Sequence, residues 1–214
     1  MINTKMVNLK VPSMISKHVA DNIKEYIIIS LIFIVGVFLG VIYINNMQSA
    51  QKENVSQYLE NYISQGKANG EITTNEALKN SIKDNILLAI GLWFAGTTII
   101  GIPIVFGIIL FRGFCLGYAI SSCTYTMGLE KGLAFITVSI ILQNILFIPA
   151  ILALGVSGIK LYKSIIKDRR KENIKVEVLR HTVFSFIMLI VLIISAIIKT
   201  NISGSLLENL IKYF

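Results

Sequence analysis

Long apolar runs separated by short polar stretches make up most of this chain of 214 residues, and the length of each run predicts an element. The first run, residues 26–44, has no charged residue and would give about 28 Å of helix, enough to cross the hydrocarbon core of a bilayer. Four later runs resemble it. The predicted spans are residues 26–44, 86–111, 113–129, 133–159 and 182–198. The pattern therefore predicts an all-α polytopic membrane helix bundle with five transmembrane helices.

The more polar segments around these runs predict peripheral elements. Residues 1–25 carry apolar side chains at every fourth position, which is typical of an amphipathic helix on the cytoplasmic surface. Residues 160–181 would form a basic inner loop, and residues 199–214 an interfacial tail outside the cell.

The stretch 45–85 is the one sizeable polar segment between predicted spans on the outer side, and it predicts a small extracytoplasmic helical hairpin. It is too short for an independent catalytic domain, but it can present a helical surface to another protein. Its apolar side chains at helical spacing form the candidate partner surface: Val55, Tyr58, Leu59 and Tyr62.

Composition supports a membrane protein, because 54% of the residues are hydrophobic, 15% are charged and the mean hydropathy is +0.71. The net charge of +8 would suggest nucleic acid binding in a soluble protein. Here the cations flank the apolar runs, as orientation signals do, so no nucleic acid partner is expected. Thirteen Lys and Arg fall on one predicted side and seven on the other, which predicts a cytoplasmic N-terminus and an extracytoplasmic C-terminus.

Arg112 is the only charged residue between Ile86 and Leu129. An arginine between two apolar runs predicts a very short cytoplasmic turn, where the guanidinium reaches lipid phosphate. On this interpretation none of the five spans has a charge in its middle. The alternative is a specific polar role inside the bundle.

Small and polar residues within the runs predict how the helices pack. Two G-x-x-x-G motifs, Gly36 with Gly40 and Gly113 with Gly117, allow close approach of helix backbones, and the spacing favours packing within the chain over homodimerisation. Three further residues predict an intramembrane polar network near a helix bend: Gln143, Asn144 and Pro149. Such a network can hold helices together or line a substrate pathway, and both readings stay open.

Catalytic and metal-binding patterns are weak. Residues 155–158, Gly-Val-Ser-Gly, match the short pattern around a rhomboid nucleophile, with His181 as the next histidine, yet no orienting partner or oxyanion donor can be named. His18 and His181 are isolated from other ligand types, so neither a metal nor another cofactor is expected. The sequence predicts a protein that is not an enzyme.

Three pieces in this order resemble the stage II sporulation protein M family: FIVGVFLGV at 33–41, FRGFCLGYAIS at 111–121 and ILQNILFIPAI at 141–151. Family members often have a proline at the position of Leu142, which this chain lacks. The resemblance implies a mother-cell membrane protein of endospore-forming bacteria that recruits the peptidoglycan-degrading stage II sporulation proteins D and P during septal thinning and engulfment.

Two functions follow as expectations. The first is a non-enzymatic membrane scaffold that binds those two proteins outside the cell and anionic lipids inside it, with homo-oligomerisation left open. The second is a small transport component or channel that uses Arg112, Gln143 and Asn144 as its polar path.

Overall fold

The computed structural model describes residues 19–69, 74–98, 100–137, 142–167 and 174–211. All regular structure in these segments is helical. We number the main helices α1 (Ile23–Asn45), α2 (Ser49–Asn69), α3 (Thr74–Thr97), α4 (Gly101–Met127), α5 (Leu129–Ile136), α6 (Leu142–Lys167) and α7 (Ile174–Ile211). The predicted all-α bundle is confirmed.

Five of these helices, α1, α3, α4, α6 and α7, run side by side. α1 lies along α4 in the same direction, since Gly36 meets Leu110 and Gly40 meets Phe114. α3 and α7 run in opposite directions, since Asn85 bonds to Leu192 and Trp93 to Thr182.

The bundle therefore has two distinct ends. We call one the basic end, where α1 and α7 begin and α6 finishes, because twelve of the twenty Lys and Arg fall in residues 1–25 and 160–181 of the sequence. Five of these have described side chains: Lys24, Lys160, Lys163, Lys175 and Arg180. Glu25 and Lys163 form an ion pair between α1 and α6 at this end, with 2.6 Å between Oε1 and Nζ. The other, the α2 end, carries the short helices α2 and α5.

One apolar core joins the five long helices. Its fully buried members come from α1, α3, α4, α6 and α7: Ile29, Leu92, Ile109, Ile151 and Leu192. The outward faces are equally apolar, and Phe38, Phe94, Phe111 and Phe186 are each more than half exposed. A surface of this kind is stable against lipid acyl chains, so the fold is that of a multi-pass membrane protein.

Among the described residues, four helical segments are long and apolar enough to cross a membrane: Ile23–Asn45, Gly101–Met127, Asn144–Ile166 and Ile174–Thr200. α3 lies beside them but has a mixed character. Its second half contributes Leu88 and Leu92 to the core, while its first half carries Lys79, Lys83 and Asp84.

The predicted break between the second and third spans at Arg112 is wrong. α4 is one continuous helix from Gly101 to Met127, and the chain turns before it, after α3. The turn is held by Thr98, whose backbone N–H and hydroxyl both donate to the Ala95 carbonyl, while the Gly101 N–H donates to the Thr98 carbonyl. Pro103 sits in the first turn of α4, where a missing N–H costs nothing. A charge was therefore a poorer boundary signal than Gly and Pro.

The fourth predicted span, 133–159, also differs from the structure. Residues 129–136 form the separate helix α5 after Gly128, whose φ of 80° ends α4, and α6 begins at Leu142 and continues to Lys167. Most of the predicted inner loop 160–181 is therefore helical. The amphipathic helix predicted for residues 1–25 falls largely outside the described residues, and so do the side chains of the predicted tail after Thr200.

Candidate functional site

The two glycine motifs meet each other within one chain and form what we call the glycine seam: Gly36 and Gly40 of α1 with Gly113 and Gly117 of α4. A Cβ added to Gly36 would overlap the Leu110 carbonyl oxygen, and one added to Gly117 would overlap the Val37 carbonyl oxygen. The helix backbones are thus in direct contact, which only glycine permits.

Aromatic rings close the glycine seam towards the α2 end. The Tyr43 ring of α1 lies 5.6 Å from the Phe114 ring and 6.3 Å from the Tyr118 ring, measured between centroids. Rings at these separations pack favourably in addition to their burial. They fix the register of α1 on α4.

Arg112 lies near the middle of α4, about 16 Å along the helix from Gly101, and not in a turn. The expectation that no span carries a charge in its middle is therefore wrong. The guanidinium carbon is 5.6 Å from the centroid of the Phe147 ring of α6, a cation–π contact between two helices. Lys199 of α7 lies near enough to Asp84 of α3 to be attracted by its charge and near enough to Arg112 to be repelled by it. The structure thus gives Arg112 a place inside the bundle, which favours the alternative of a polar role.

The other members of the predicted polar network are only partly described. Asn144 is half-buried near the start of α6, and Pro149 lies inside that helix on an exposed face. The Gln143 side chain lies outside the described residues.

Sequence analysis missed Asn85, which is 5% exposed and donates from Nδ2 to the Leu192 carbonyl oxygen at 2.8 Å. It had been counted as the last residue of the predicted hairpin. Its position directly before a charge-free run was the available signal, because a polar residue there enters the membrane with the helix.

Ser157 and His181 are in direct contact at the basic end. Ser157 Oγ lies 2.8 Å from His181 Nδ1, and the residues are 6% and 3% exposed. His181 Nε2 lies 3.4 Å from the Trp93 carbonyl oxygen, and Trp93 Nε1 donates to Thr182 Oγ1 at 3.1 Å. We call this set the polar junction, because it links α3, α6 and α7.

The chemistry of the polar junction follows from its donors and acceptors. The Trp93 carbonyl can only accept, so neutral His181 carries its hydrogen on Nε2 and accepts the Ser157 hydroxyl hydrogen on Nδ1. This is the contact that a serine nucleophile and its base would make. However, Ser157 lies inside α6, where backbone N–H groups donate to the preceding turn and are not available to an oxyanion. The arrangement serves as a bond between helices.

Two glycines allow this histidine to fit. A Cβ on Gly96 would lie 2.8 Å from the Gly158 Cα and 2.9 Å from His181 Nε2. α3 and α6 therefore approach closely beside the imidazole, which leaves it buried between three helices.

At the α2 end, α2 docks onto α4 and α5. Ser56 Oγ donates to Thr126 Oγ1 at 3.1 Å, because the Thr126 hydroxyl itself donates to the Ser122 carbonyl. Leu59 packs on a small apolar cluster of α4 and α5: Cys123, Phe135 and Ile136. Lys52 Nζ lies 5.4 Å from the centroid of the Tyr125 ring.

This docking divides the predicted partner surface. Leu59 and Val55 are half-buried, and Leu59 faces the bundle. Tyr58 is 72% exposed and so stays open to a partner. The Tyr62 side chain lies outside the described residues. Three more exposed apolar residues share this end of the molecule, and sequence analysis did not select them: Tyr125, Leu129 and Leu133.

Within the described segments, no three His, Cys, Asp or Glu side chains lie close enough to hold a metal ion.

Comparison with protein-family models matched residues 29–204 to the model described as stage II sporulation protein M. The matched range includes the glycine seam, Arg112, the polar junction and α2. The comparisons with curated proteins and with solved structures gave no match.

Proposed function

The chain belongs to the stage II sporulation protein M family, and we propose that it acts in sporulation as a non-enzymatic membrane scaffold. In this proposal it recruits the peptidoglycan-degrading stage II sporulation proteins D and P to the septal and engulfing membrane of the mother cell. The observation that carries the proposal is the docked helix α2, which is held by the Ser56–Thr126 hydrogen bond and by Leu59 while Tyr58 points away.

The charges support an orientation for this surface. In the full sequence twelve Lys and Arg fall in residues 1–25 and 160–181, against seven in the segments on the other side of the spans. Such an excess is typical of the cytoplasmic side, so the basic end would face the cytoplasm. α2 would then face the cell wall, where the two partner proteins act. If α3 crosses with the four apolar helices, the N-terminus is cytoplasmic and the C-terminus extracytoplasmic.

The exposed Tyr58 side chain suits a protein interface. Tyr58 offers a large ring with a hydroxyl at its tip, the type of side chain that often anchors protein interfaces. Because α2 is fixed on the bundle, the ring is presented without the entropic cost of ordering a free loop.

Affinity purification of the tagged protein from sporulating cells in mild detergent, followed by quantitative mass spectrometry, tests the scaffold. We expect both hydrolase proteins to be enriched over an unrelated multi-span protein, and Tyr58→Ala to lower their recovery about tenfold. Gln57→Ala, a change at the exposed neighbouring residue, is the matched control and should keep full recovery. Equal recovery from Tyr58→Ala and wild type would rule out this surface.

The orientation is tested separately by cysteine labelling in protoplasts, in a background without Cys115 and Cys123. Gln57→Cys on α2 should react with a membrane-impermeant maleimide, and Ile166→Cys at the basic end should react only after lysis. The reverse pattern would invert the molecule and remove the wall-facing surface.

A transport component remains a second proposal because Arg112 lies at mid-helix, where a solute path needs polar groups. It predicts flux of a polar solute through liposomes that contain the purified protein, and less flux for Asn144→Leu. Flux equal to that of empty liposomes would eliminate it.

A further inference from the structure

A cavity opens between α6 and α7 at the basic end, next to the polar junction. It is open on one side, and the empty space between its walls, together with the adjoining solvent, is about 310 Å³. The residues around it that matter are Ser157, Lys160, Glu177, Arg180, His181 and Phe184.

Two cations from different helices flank this cavity. Lys160 of α6 pairs with no carboxylate of the described residues. Arg180 of α7 donates from Nη1 to Glu177 Oε1 at 2.7 Å, but its side chain is 61% exposed and its other guanidinium N–H groups remain free to bind an anion. The cavity thus holds two positive charges against one negative charge.

The remaining walls are buried and differ in polarity. Ser157 and His181 form a hydrogen bond to each other at the inner wall, and neither side chain carries a negative charge that would repel an anion. Leu161 and Phe184 supply apolar surface beside the cations. A ligand with both an anionic and an apolar part matches these walls better than a small anion does.

The depth of the cavity also fits a lipid. Two contacts of α6, one on each side of the cavity, show how deep the cavity lies in the bundle. Gly155 lies against Ile29 of α1, and Lys163 pairs with Glu25 at the start of α1. The cavity therefore lies level with the first turns of the spanning helix α1. The phosphates of phospholipid headgroups occupy this boundary between water and hydrocarbon.

We propose that the cavity between α6 and α7 is a binding site for an anionic phospholipid, with the headgroup phosphate between Lys160 and Arg180 and the start of an acyl chain against Leu161 and Phe184. This gives a location to the contact with anionic lipids that the sequence predicts on the cytoplasmic side. The lipid site involves neither α2 nor the hydrolase proteins. The lipid proposal can therefore be wrong while the scaffold proposal is right, and the scaffold proposal can be wrong while the lipid proposal is right.

The test uses the full-length protein in nanodiscs or detergent, with native mass spectrometry and lipid titration. Phosphatidylglycerol should bind at least about tenfold tighter than zwitterionic phosphatidylcholine, because both cations act on a net negative headgroup. The double change Lys160→Gln with Arg180→Gln should remove this preference. Lys24→Gln with Lys175→Gln, at the same end but outside the cavity, is the charge-matched control and should bind like wild type.

A variant that binds lipid more tightly than wild type distinguishes a direct role of the cavity cations from a general loss of structure. Glu177→Gln removes the carboxylate that competes for Arg180, so we expect tighter phosphatidylglycerol binding, by about threefold. An unchanged lipid preference in the double variant, or weaker binding in Glu177→Gln, would overturn the proposal. Displacement of the lipid by millimolar inorganic phosphate would assign the site to a soluble anion and overturn its lipid source.

Discussion

The glycine seam and the polar junction hold helices together by opposite means. In the glycine seam, α1 and α4 touch through their backbones, with no side chain between them at Gly36, Gly40, Gly113 and Gly117. In the polar junction, α3, α6 and α7 are joined by buried and partly buried hydrogen bonds through Ser157, His181, Trp93 and Thr182.

The difference follows from the solvent. Lipid is as apolar as leucine, so apolar side chains alone do not drive helices together in a membrane. Close backbone packing gains dispersion energy, and polar side chains gain by finding partners that lipid cannot supply. The glycine seam should therefore fail when volume is added, and the polar junction when polarity is removed.

The largest effect is expected from added volume in the glycine seam. Gly117→Leu would drive a Cβ into the Val37 carbonyl and force α1 off α4, at a cost of at least about 3 kcal/mol. The fluorescence of Trp93, the single tryptophan, reports thermal unfolding in detergent.

Gly107→Leu is the matched control for this change. It adds the same side chain to the same helix, but a Cβ at Gly107 meets nothing within 4 Å. We expect a change of at most about 0.5 kcal/mol. Equal losses of stability in Gly117→Leu and Gly107→Leu would show that added volume in the glycine seam costs no more than added volume on the helix surface.

A smaller loss is expected when the polar junction loses its hydrogen bond. Ser157→Ala and His181→Gln, alone and together, form a double-mutant cycle for the 2.8 Å contact. Hydrogen bonds between membrane helices couple by about 0.6 to 1.7 kcal/mol, and we expect a value in that range. If the stability losses of the two single variants add up to that of the double variant, the Ser157–His181 contact contributes no coupling energy.

Asn85→Leu should cost about 1 kcal/mol, because the Leu192 carbonyl loses a donor but remains within its own helix. The comparison is Asn80→Leu, an exposed position of the same helix, which should have little effect. Equal midpoints of thermal unfolding for the two variants would show that the bond from Asn85 does not stabilise the fold.

The smallest effect is expected at the ion pair of the basic end. Glu25→Gln should lower stability by at most about 0.5 kcal/mol, because the side chain of its partner Lys163 is 51% exposed and screened by water and salt. Unfolding at low and high salt is the measurement. A loss above about 2 kcal/mol that salt does not change would place this pair in the class of the polar junction.

Sequence patterns predicted the helical class, the spans of α1 and α7 in outline, and both glycine motifs. They did not predict that the two motifs face each other, because periodicity describes one helix at a time. Ser157 and His181 were both noted, yet their contact depends on how α6 and α7 lie against each other, which no spacing of two residues reveals.

Arg112 shows the limit most clearly. A lone charge in an apolar run suggests a boundary, but the ring that meets this guanidinium, Phe147, belongs to another helix. For α2, helical spacing grouped Tyr58 with Leu59, and only the docked structure separates the exposed residue from the half-buried one.

The parallel contact of α1 and α4 also sets an order in time. Gly113 lies 77 residues after Gly36, so at ordinary rates of translation α1 spends roughly 4 to 15 s in the membrane before its partner exists. During this interval its glycine face meets lipid, and another newly made α1 can meet it in turn. The tightest contact of the finished bundle can therefore form before α6 and α7 have been made, and the rate of translation sets how long α1 waits for it.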